Sequence, residues 1–274
     1  MVTWQDVKTA VERLGVTEGD TLLVHSSFKS LGETENGADT VIHGLQSALG
    51  KSGTLIFPTL CSKDWEHVYE NWHLDAPSDV GYLTNYFRKL PGARRSNQAT
   101  HSVAAIGPKA EYLTATHGES GLRYGIYGNT CFSSDSPWEK MYQMNTKVLF
   151  LGCSMRSCTM RHQAEYMFIE ECLEKAKKSP NYPELLRRVW CYERWDDRGV
   201  WWQIENNYIE ELLARVGKLQ VTQCGDATLK LVNSHEFVDC CLEQMHNRNK
   251  DSFRLDPLWD PQETYDWLKE IDAL

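Results

Sequence analysis

The sequence predicts an α/β protein. Three observations carry the prediction: short apolar runs bounded by turn residues, helix-period segments lying between them, and a strand–helix–strand order already complete by residue 58. Residues 3–14 place Val7, Ala10, Val11 and Leu14 at helical spacing, and Gly15 follows as a stop signal. TLLVHSS, residues 21–27, reads as a short buried strand that ends in polar residues. Residues 37–49 form a second amphipathic helix ended by Gly50, and residues 53–58 form a strand stopped by Pro58. Residues 78–90 predict a helix with Ser78 as N-cap, ended by Pro91-Gly92. SVAAIG, residues 102–107, is a strand, and residues 108–117 are a short helix. Lys147–Gly152 is the clearest central strand, and residues 162–178 form a helix whose lysines gather at its end, where they suit the helix dipole. After Pro180 the texture changes. Residues 186–204 hold Trp190, Trp195, Trp201 and Trp202 among charges and read as strands or long loops. A helix follows at 205–216, and the acidic, Trp-containing tail, 251–274, reads as packing on the surface.

A chain of 274 residues can bury a substantial core. With no internal repeat, low-complexity linker or clear boundary, one domain over 1–274 is the simplest organisation, its C-terminal part variable from about residue 180. The formal net charge of −9 argues against a nucleic-acid partner and is compatible with a cationic small substrate, although acidic cytosolic enzymes are common. No apolar run reaches bilayer length, and the N-terminus carries Asp6 and Glu12 where a signal peptide would be apolar, so the protein is read as cytosolic, without a membrane partner. Nine cysteines are scattered without a C-x-x-C or paired-knuckle spacing; they read as small buried hydrophobes, and no metal is expected.

Three segments carry candidate chemistry. His162-Gln-Ala-Glu165 opens a helix directly after the Val148–Gly152 strand and its loop, and residues three apart share a helix face. A histidine there can take a proton from an amine, but an H-x-x-E pair on a helix is usually a surface or capping feature. His25-Ser26-Ser27 ends a strand, the end beyond which α/β sheets bind ligands, and reads equally as a polar turn. Arg94-Arg95-Ser96 offers a guanidinium fork and a hydroxyl to a phosphate, or is a solvated basic turn. No P-loop, Rossmann glycine fingerprint, nucleophile elbow or H-E-x-x-H motif is present. The Q/R-x-x-G-x-G/A loop of the commoner N-acetyltransferase superfamily is also absent.

Taken in order, the segments resemble the aminoglycoside 3-N-acetyltransferase (antibiotic N-acetyltransferase) family. LLVHSSFKSLG (22–32) is similar to its V-H-S-S-L-x-x-L-G segment, and GTLIFPT (53–59) to its G-T-L-x-x-P-T strand. Residues 87–117 follow F-R-x-x-P-G-x-x-R-S-x-H-P-x-x-S-x-A-A-x-G, residues 136–152 follow S-P-x-x-x-L-Y-x-L-x-x-K-V-L-L-L-G, and 153–165 run without a gap into H-x-A-E. The resemblance covers roughly residues 1–176 and implies a three-layer α/β/α sandwich around a mixed β-sheet, not the fold of the commoner superfamily. It implies acetyl-CoA as co-substrate and a small-molecule amine as acceptor, an aminoglycoside or another amine-bearing metabolite, and it allows a homodimer. By matching positions, His25, Ser26, Ser27, Phe28, Arg95, Ser96, Ser102 and Val103 would line the CoA site. His162 would be the general base with Glu165 beside it, and Asp64 would face the substrate.

The implied mechanism is direct attack. His162 removes a proton as the amine attacks the acetyl carbonyl, groups near residues 25–28 stabilise the oxyanion, and CoA thiolate leaves without a covalent enzyme intermediate. This chain departs from the family at Gln98-Ala99, where His-Pro is usual, and at Cys158-Thr159-Met160, where Asn-Thr-Ser is usual. Ser134-Asp135 stands in the approach to Ser136-Pro137, and Arg161 replaces an apolar residue, placed to lower the His162 pKa or to attract an anionic group. Other readings are CoA-dependent transfer with a different acyl donor or acceptor, a non-catalytic CoA-binding descendant, and thiol chemistry at Cys158 or Cys153.

Overall fold

Five consecutive residues of Thr21–Ser26 (β1) are buried, the pattern of a strand covered on both faces. In the computed structural model β1 is the middle strand of a seven-stranded mixed sheet. The structure describes residues 1–61, 63, 67–119, 131–192, 204–253 and 261–274. On one side β1 pairs in parallel with Thr54–Pro58 (β2), which pairs antiparallel with Val103–Ile106 (β4), itself antiparallel to the short Arg94–Arg95 (β3). On the other side β1 pairs in parallel with Lys147–Leu151 (β5), His25 lying level with Phe150 and Ser26 with Leu151. A hairpin, Gln220–Cys224 (β6) and Ala227–Asn233 (β7), completes the sheet through antiparallel pairing of β7 with β5. The α/β class with a mixed sheet is the one expected. The hairpin was not read from the sequence: β6 is polar and mostly exposed along its length, as an edge strand is, and hides the alternation that identifies a strand.

The chain divides into two compact units, Met1–Ser157 with Ala214–His235, and Cys158–Leu213 with Glu236–Leu274. In the first unit, Trp4–Arg13 (α1) starts at Thr3, whose hydroxyl accepts from the Asp6 N–H while the Asp6 carboxylate accepts from the Thr3 N–H. That reciprocal cap fixes the start of the helix, and Val7, Ala10 and Val11 bury its apolar stripe. Ala38–Leu49 (α2) packs its apolar face with α1 in one core with Leu22, Val24, Leu55 and Phe57 of the sheet. The remaining helices of the unit are Val68–Asn71 (α3), Tyr82–Phe87 (α4), Ala110–Thr114 (α5) and Pro137–Gln143 (α6). Ser78 does not cap α4, which begins after Gly81. The Ser78 hydroxyl donates instead to the Leu60 carbonyl at 2.8 Å, so it ties down the loop after β2.

The second unit is helical: Met160–Ala176 (α7), Tyr182–Tyr192 (α8), most of Asn206–Arg215 (α9) and of Ser234–His246 (α10), and Pro261–Glu270 (α11). Residues 182–192 are therefore a helix, where the sequence suggested strand or loop from 186; the rest of that stretch, 193–203, lies outside the described residues. Aromatic residues of mixed propensity misled the reading, and the apolar spacing of Leu185 and Val189 within α8 was the better signal. The tail is more than a surface dressing, because Tyr265, Leu268 and Ile271 are buried and the Tyr265 hydroxyl donates to the Met245 carbonyl at 2.7 Å. Cys131, Cys158, Cys172, Cys224 and Cys241 are buried, in keeping with small apolar fillers. Among the described residues no helix is long and apolar enough to cross a membrane.

Candidate active site

Helix α7 opens with the dyad. His162 Nδ1 and Glu165 Oε2 are 2.6 Å apart, and the Glu165 side chain is fully buried while the His162 side chain is 18% exposed. The second carboxylate oxygen, Oε1, accepts the Ile204 N–H at 2.9 Å. A carboxylate only accepts, so Nδ1 carries the proton and Nε2 presents the lone pair. Burial is the main influence on the imidazole and lowers its pKa below 6.5; Glu165 pulls the other way and Arg161 adds to the lowering. A neutral imidazole at neutral pH, with its tautomer set by a buried carboxylate, is what a general base requires. The unusual residues before it are packed: Cys158, Thr159 and Met160 are buried, and the Asn206 side-chain amide donates to the Cys158 carbonyl at 3.4 Å. Arg161 Nε donates to His162 Nε2 at 3.3 Å, a contact that the sequence could suggest only as adjacency.

At the C-terminal ends of β1 and β5 the chain builds a second polar region. His25 is buried and stacked on Phe150 at 5.4 Å. Its Nε2 has no hydrogen-bond partner among the described residues, and burial lowers its pKa to about 3. Ser26, Ser27 and Phe28 are partly exposed. Ser27 donates its N–H to the Leu151 carbonyl at 2.9 Å, and its own carbonyl accepts the Ser30 hydroxyl at 2.6 Å, which turns the chain into a short 3-10 helix. Gly152 is required beside this turn. Its φ is +66°, and a Cβ there would run into the Ser30 hydroxyl.

Arg94 and Arg95 point to opposite sides of β3, as neighbours in a strand must. Arg94 is exposed and pairs with Glu111. Arg95 turns inward, and its donors are all engaged. Nε lies 3.1 Å from Thr59 Oγ1 and 3.2 Å from Ser102 Oγ; one terminal nitrogen donates to the Leu74 and Ala76 carbonyls at 2.8 and 2.5 Å; the other donates to the Thr59 carbonyl at 2.7 Å and meets Cys61 Sγ at 3.4 Å. The Trp72 ring covers the guanidinium at 4.7 Å. Arg95 thus holds the loop that follows β2, and the solvated-turn and open-fork readings both miss this use.

Ser96 and Ser102 are fully buried. Ser102 bonds Thr59 Oγ1 at 2.9 Å. Ser96 accepts the Val103 N–H at 2.9 Å and bonds His117 Nδ1 at 2.8 Å. His117 Nε2 meets the Cys131 carbonyl at 2.9 Å, so Nε2 holds the proton and the Ser96 hydroxyl donates to Nδ1. Burial lowers the His117 pKa to about 3. Sequence reasoning passed over His117, Thr59 and Trp72, since each is joined to Arg95 or Ser96 only by folding. Gln98 is buried and its Oε1 accepts the Thr100 N–H at 2.9 Å and the His101 N–H at 2.5 Å, so the amide braces the turn where His-Pro was expected. Asp64 lies outside the described residues.

Comparison with known proteins decides the family. A family model described as aminoglycoside 3-N-acetyltransferase matches residues 23–246, most of the chain. The chain belongs to the aminoglycoside 3-N-acetyltransferase family. An aminoglycoside N(3)-acetyltransferase III from Salmonella sp is 35% identical over 182 residues, which are 60% of this chain and 60% of that protein. The matched region thus spans about 60% of the length of such relatives. Two solved structures share the fold. AAC(3)-IVa apoenzyme superposes with a TM-score of 0.69 at 23% identity, covering 98% of this chain and 97% of that one. AAC-IIIb in binary complex with CoASH superposes with a TM-score of 0.67 at 20% identity, covering 93% and 99%. Within the family motif from residue 22 to 165, the dyad is the part with the geometry of a proton acceptor, while Arg95, Ser96 and Ser102 are committed to their own scaffold.

Proposed function

We propose that the protein is an acetyl-CoA-dependent N-acetyltransferase that acts on a primary amine of a small molecule. The observation that carries this is the His162–Glu165 pair at 2.6 Å in a chain of this family. His162 Nε2 removes a proton from the amine as its nitrogen attacks the acetyl carbon. Glu165 keeps the imidazole in the required tautomer and stabilises the imidazolium that forms. Acetyl transfer then releases CoA as its thiol, with no acyl-enzyme.

For the acetyl-CoA side, the residues present suit the co-substrate unequally. Ser26 and Ser27 are partly exposed at the strand end and offer hydroxyls and backbone N–H groups to an amide or a phosphate, and Phe28 offers an apolar face. His25, whose buried Nε2 has no hydrogen-bond partner among the described residues, precedes them in β1. In this reading Arg95, Ser96, Ser102 and Val103 belong to the CoA side as scaffold, held by Thr59, His117 and the β3–β4 pairing. Residues 1–274 act as one acetyltransferase-like domain in this reading, which the family match over residues 23–246 supports. A reducing cytosol suits its buried thiols.

The test pairs binding with turnover. Acetyl-CoA raises the melting temperature, and Ser27→Ala weakens that effect; thiol release from acetyl-CoA depends on added amine and on His162. No shift at near-millimolar acetyl-CoA, or amine-dependent thiol release that His162→Ala leaves unchanged, overturns the reading.

A further inference from the structure

Arg161 stands at the start of α7, half-buried, and spends one N–H on the lone pair of its neighbour His162. Among the described residues no carboxylate lies within ion-pair distance of it. Three other arginines differ: Arg95 has every donor engaged, Arg94 pairs with Glu111, and Arg187 with Glu184. A guanidinium is always charged and presents its donors as a planar fork that fits a carboxylate. Here the fork is left for something outside the described protein, 3.3 Å from the atom proposed to accept the amine proton.

Resting on the reading of His162 as base, we infer that Arg161 determines acceptor choice, and that the acceptor is an amine bearing a carboxylate a few bonds from its nitrogen. The amine must approach the lone pair that Arg161 Nε–H now occupies. A carboxylate on the acceptor draws the guanidinium into a two-point pair, which turns that N–H away from Nε2. The amine nitrogen, about 3 Å from Nε2, then stands roughly 4–6 Å from the guanidinium, the reach of a β- or γ-amino carboxylate. A polycationic acceptor brings like charge to the same place and leaves the lone pair covered. In the transfer itself the N–C bond forms as the C–S bond breaks. The amine proton passes to Nε2, and the departing thiolate takes a proton to leave as CoA thiol.

The experiment measures kcat/KM for thiol release from acetyl-CoA with β-alanine, β-alaninamide and an aminoglycoside, in the wild type, Arg161→Leu and Arg161→Lys. The wild type favours the free carboxylate over its amide by about tenfold or more, the size of one good charge-assisted pair. Arg161→Leu removes that preference and relatively favours the aminoglycoside; Arg161→Lys, which keeps the charge but not the fork, retains part of it. Equal rates on carboxylate and amide in the wild type, or a preference that survives Arg161→Leu, overturn the inference while leaving the acetyltransferase reading intact. A wild type that acetylates no amine overturns both. A second readout does not need turnover: β-alanine, but not its amide, shifts the His162 imidazole nitrogen resonance, and Arg161→Leu abolishes the response.

Discussion

The region around Arg95 and the start of α7 carry the same kinds of residue, yet they use them in opposite ways. Around Arg95, a guanidinium, two serines, a threonine and a histidine are all satisfied by one another and by carbonyls, and the group is closed. At the start of α7, Glu165 is equally closed, buried and bonded to His162 and Ile204, while His162 Nε2 accepts the Arg161 Nε–H at a long 3.3 Å. Saturated polar groups lose much if one partner is removed and offer little to a ligand. A long contact is exchanged at less cost than the short bonds that close the group around Arg95. Under the proposed function the first region builds a site and the second reacts in it, a distinction that residue type alone does not make.

Four measurements break or sharpen that contrast. The largest effect is expected at the reactive end: His162→Ala lowers kcat for acetyl transfer by about 10²–10⁴ while the thermal shift by acetyl-CoA persists. At the closed end, Arg95→Ala orphans the Leu74 and Ala76 carbonyls, takes one donor from the Thr59 carbonyl, and costs about 2–4 kcal/mol of unfolding free energy by denaturant titration. Arg95→Lys restores little of this, since a single ammonium cannot replace the fork. Preserved stability in Arg95→Ala would show that the cluster is looser than its geometry. Next, Glu165→Gln keeps an oxygen for the Ile204 N–H but can turn an N–H toward His162 Nδ1. That shifts the imidazole proton to Nε2 and lowers kcat by roughly 10–100-fold, with little change in melting temperature. An unchanged kcat in this variant removes Glu165 from the mechanism.

The remaining measurement is against pH. His25 and His117 keep neutral rings down to about pH 3 in the folded protein, whereas in the unfolded chain they protonate near 6.5. Between those values the unfolded state binds more protons, so stability falls as pH drops, by about 1.4 kcal/mol per unit for each histidine once below 6.5. A denaturation midpoint that stays flat from pH 6.5 to 4 contradicts the burial of these two rings. The His162 pKa is lowered as well, so the acid limb of kcat/KM falls below pH 6.5.

Much of the fold was legible because its signals are local. The helix at α1 shows its stop at Gly15, and β1, β2 and β5 each centre on a short apolar run. Where a residue's partner is distant the reading failed. Ser78 has the chemistry of a cap but finds Leu60 first, and β6 is recognisable as a strand only beside β7. At the candidate site, the three-residue spacing of His162 and Glu165 was enough to put them on one helix face, and the contact between them follows from helix geometry.

What the sequence by itself determined is the α/β class, the order of most elements and the resemblance to the family whose model matches residues 23–246. These depend on periodicity and on ordered motifs, which are properties of neighbouring residues. Tertiary structure alone decided which polar residues are spent. Arg95 is closed off by Thr59, Leu74, Ala76 and Trp72, residues 19 to 36 positions away in the chain, and Ser96 by His117, 21 positions away. A side chain's capacity for hydrogen bonds is written in its type, but whether that capacity is already filled depends on what the fold brings to it.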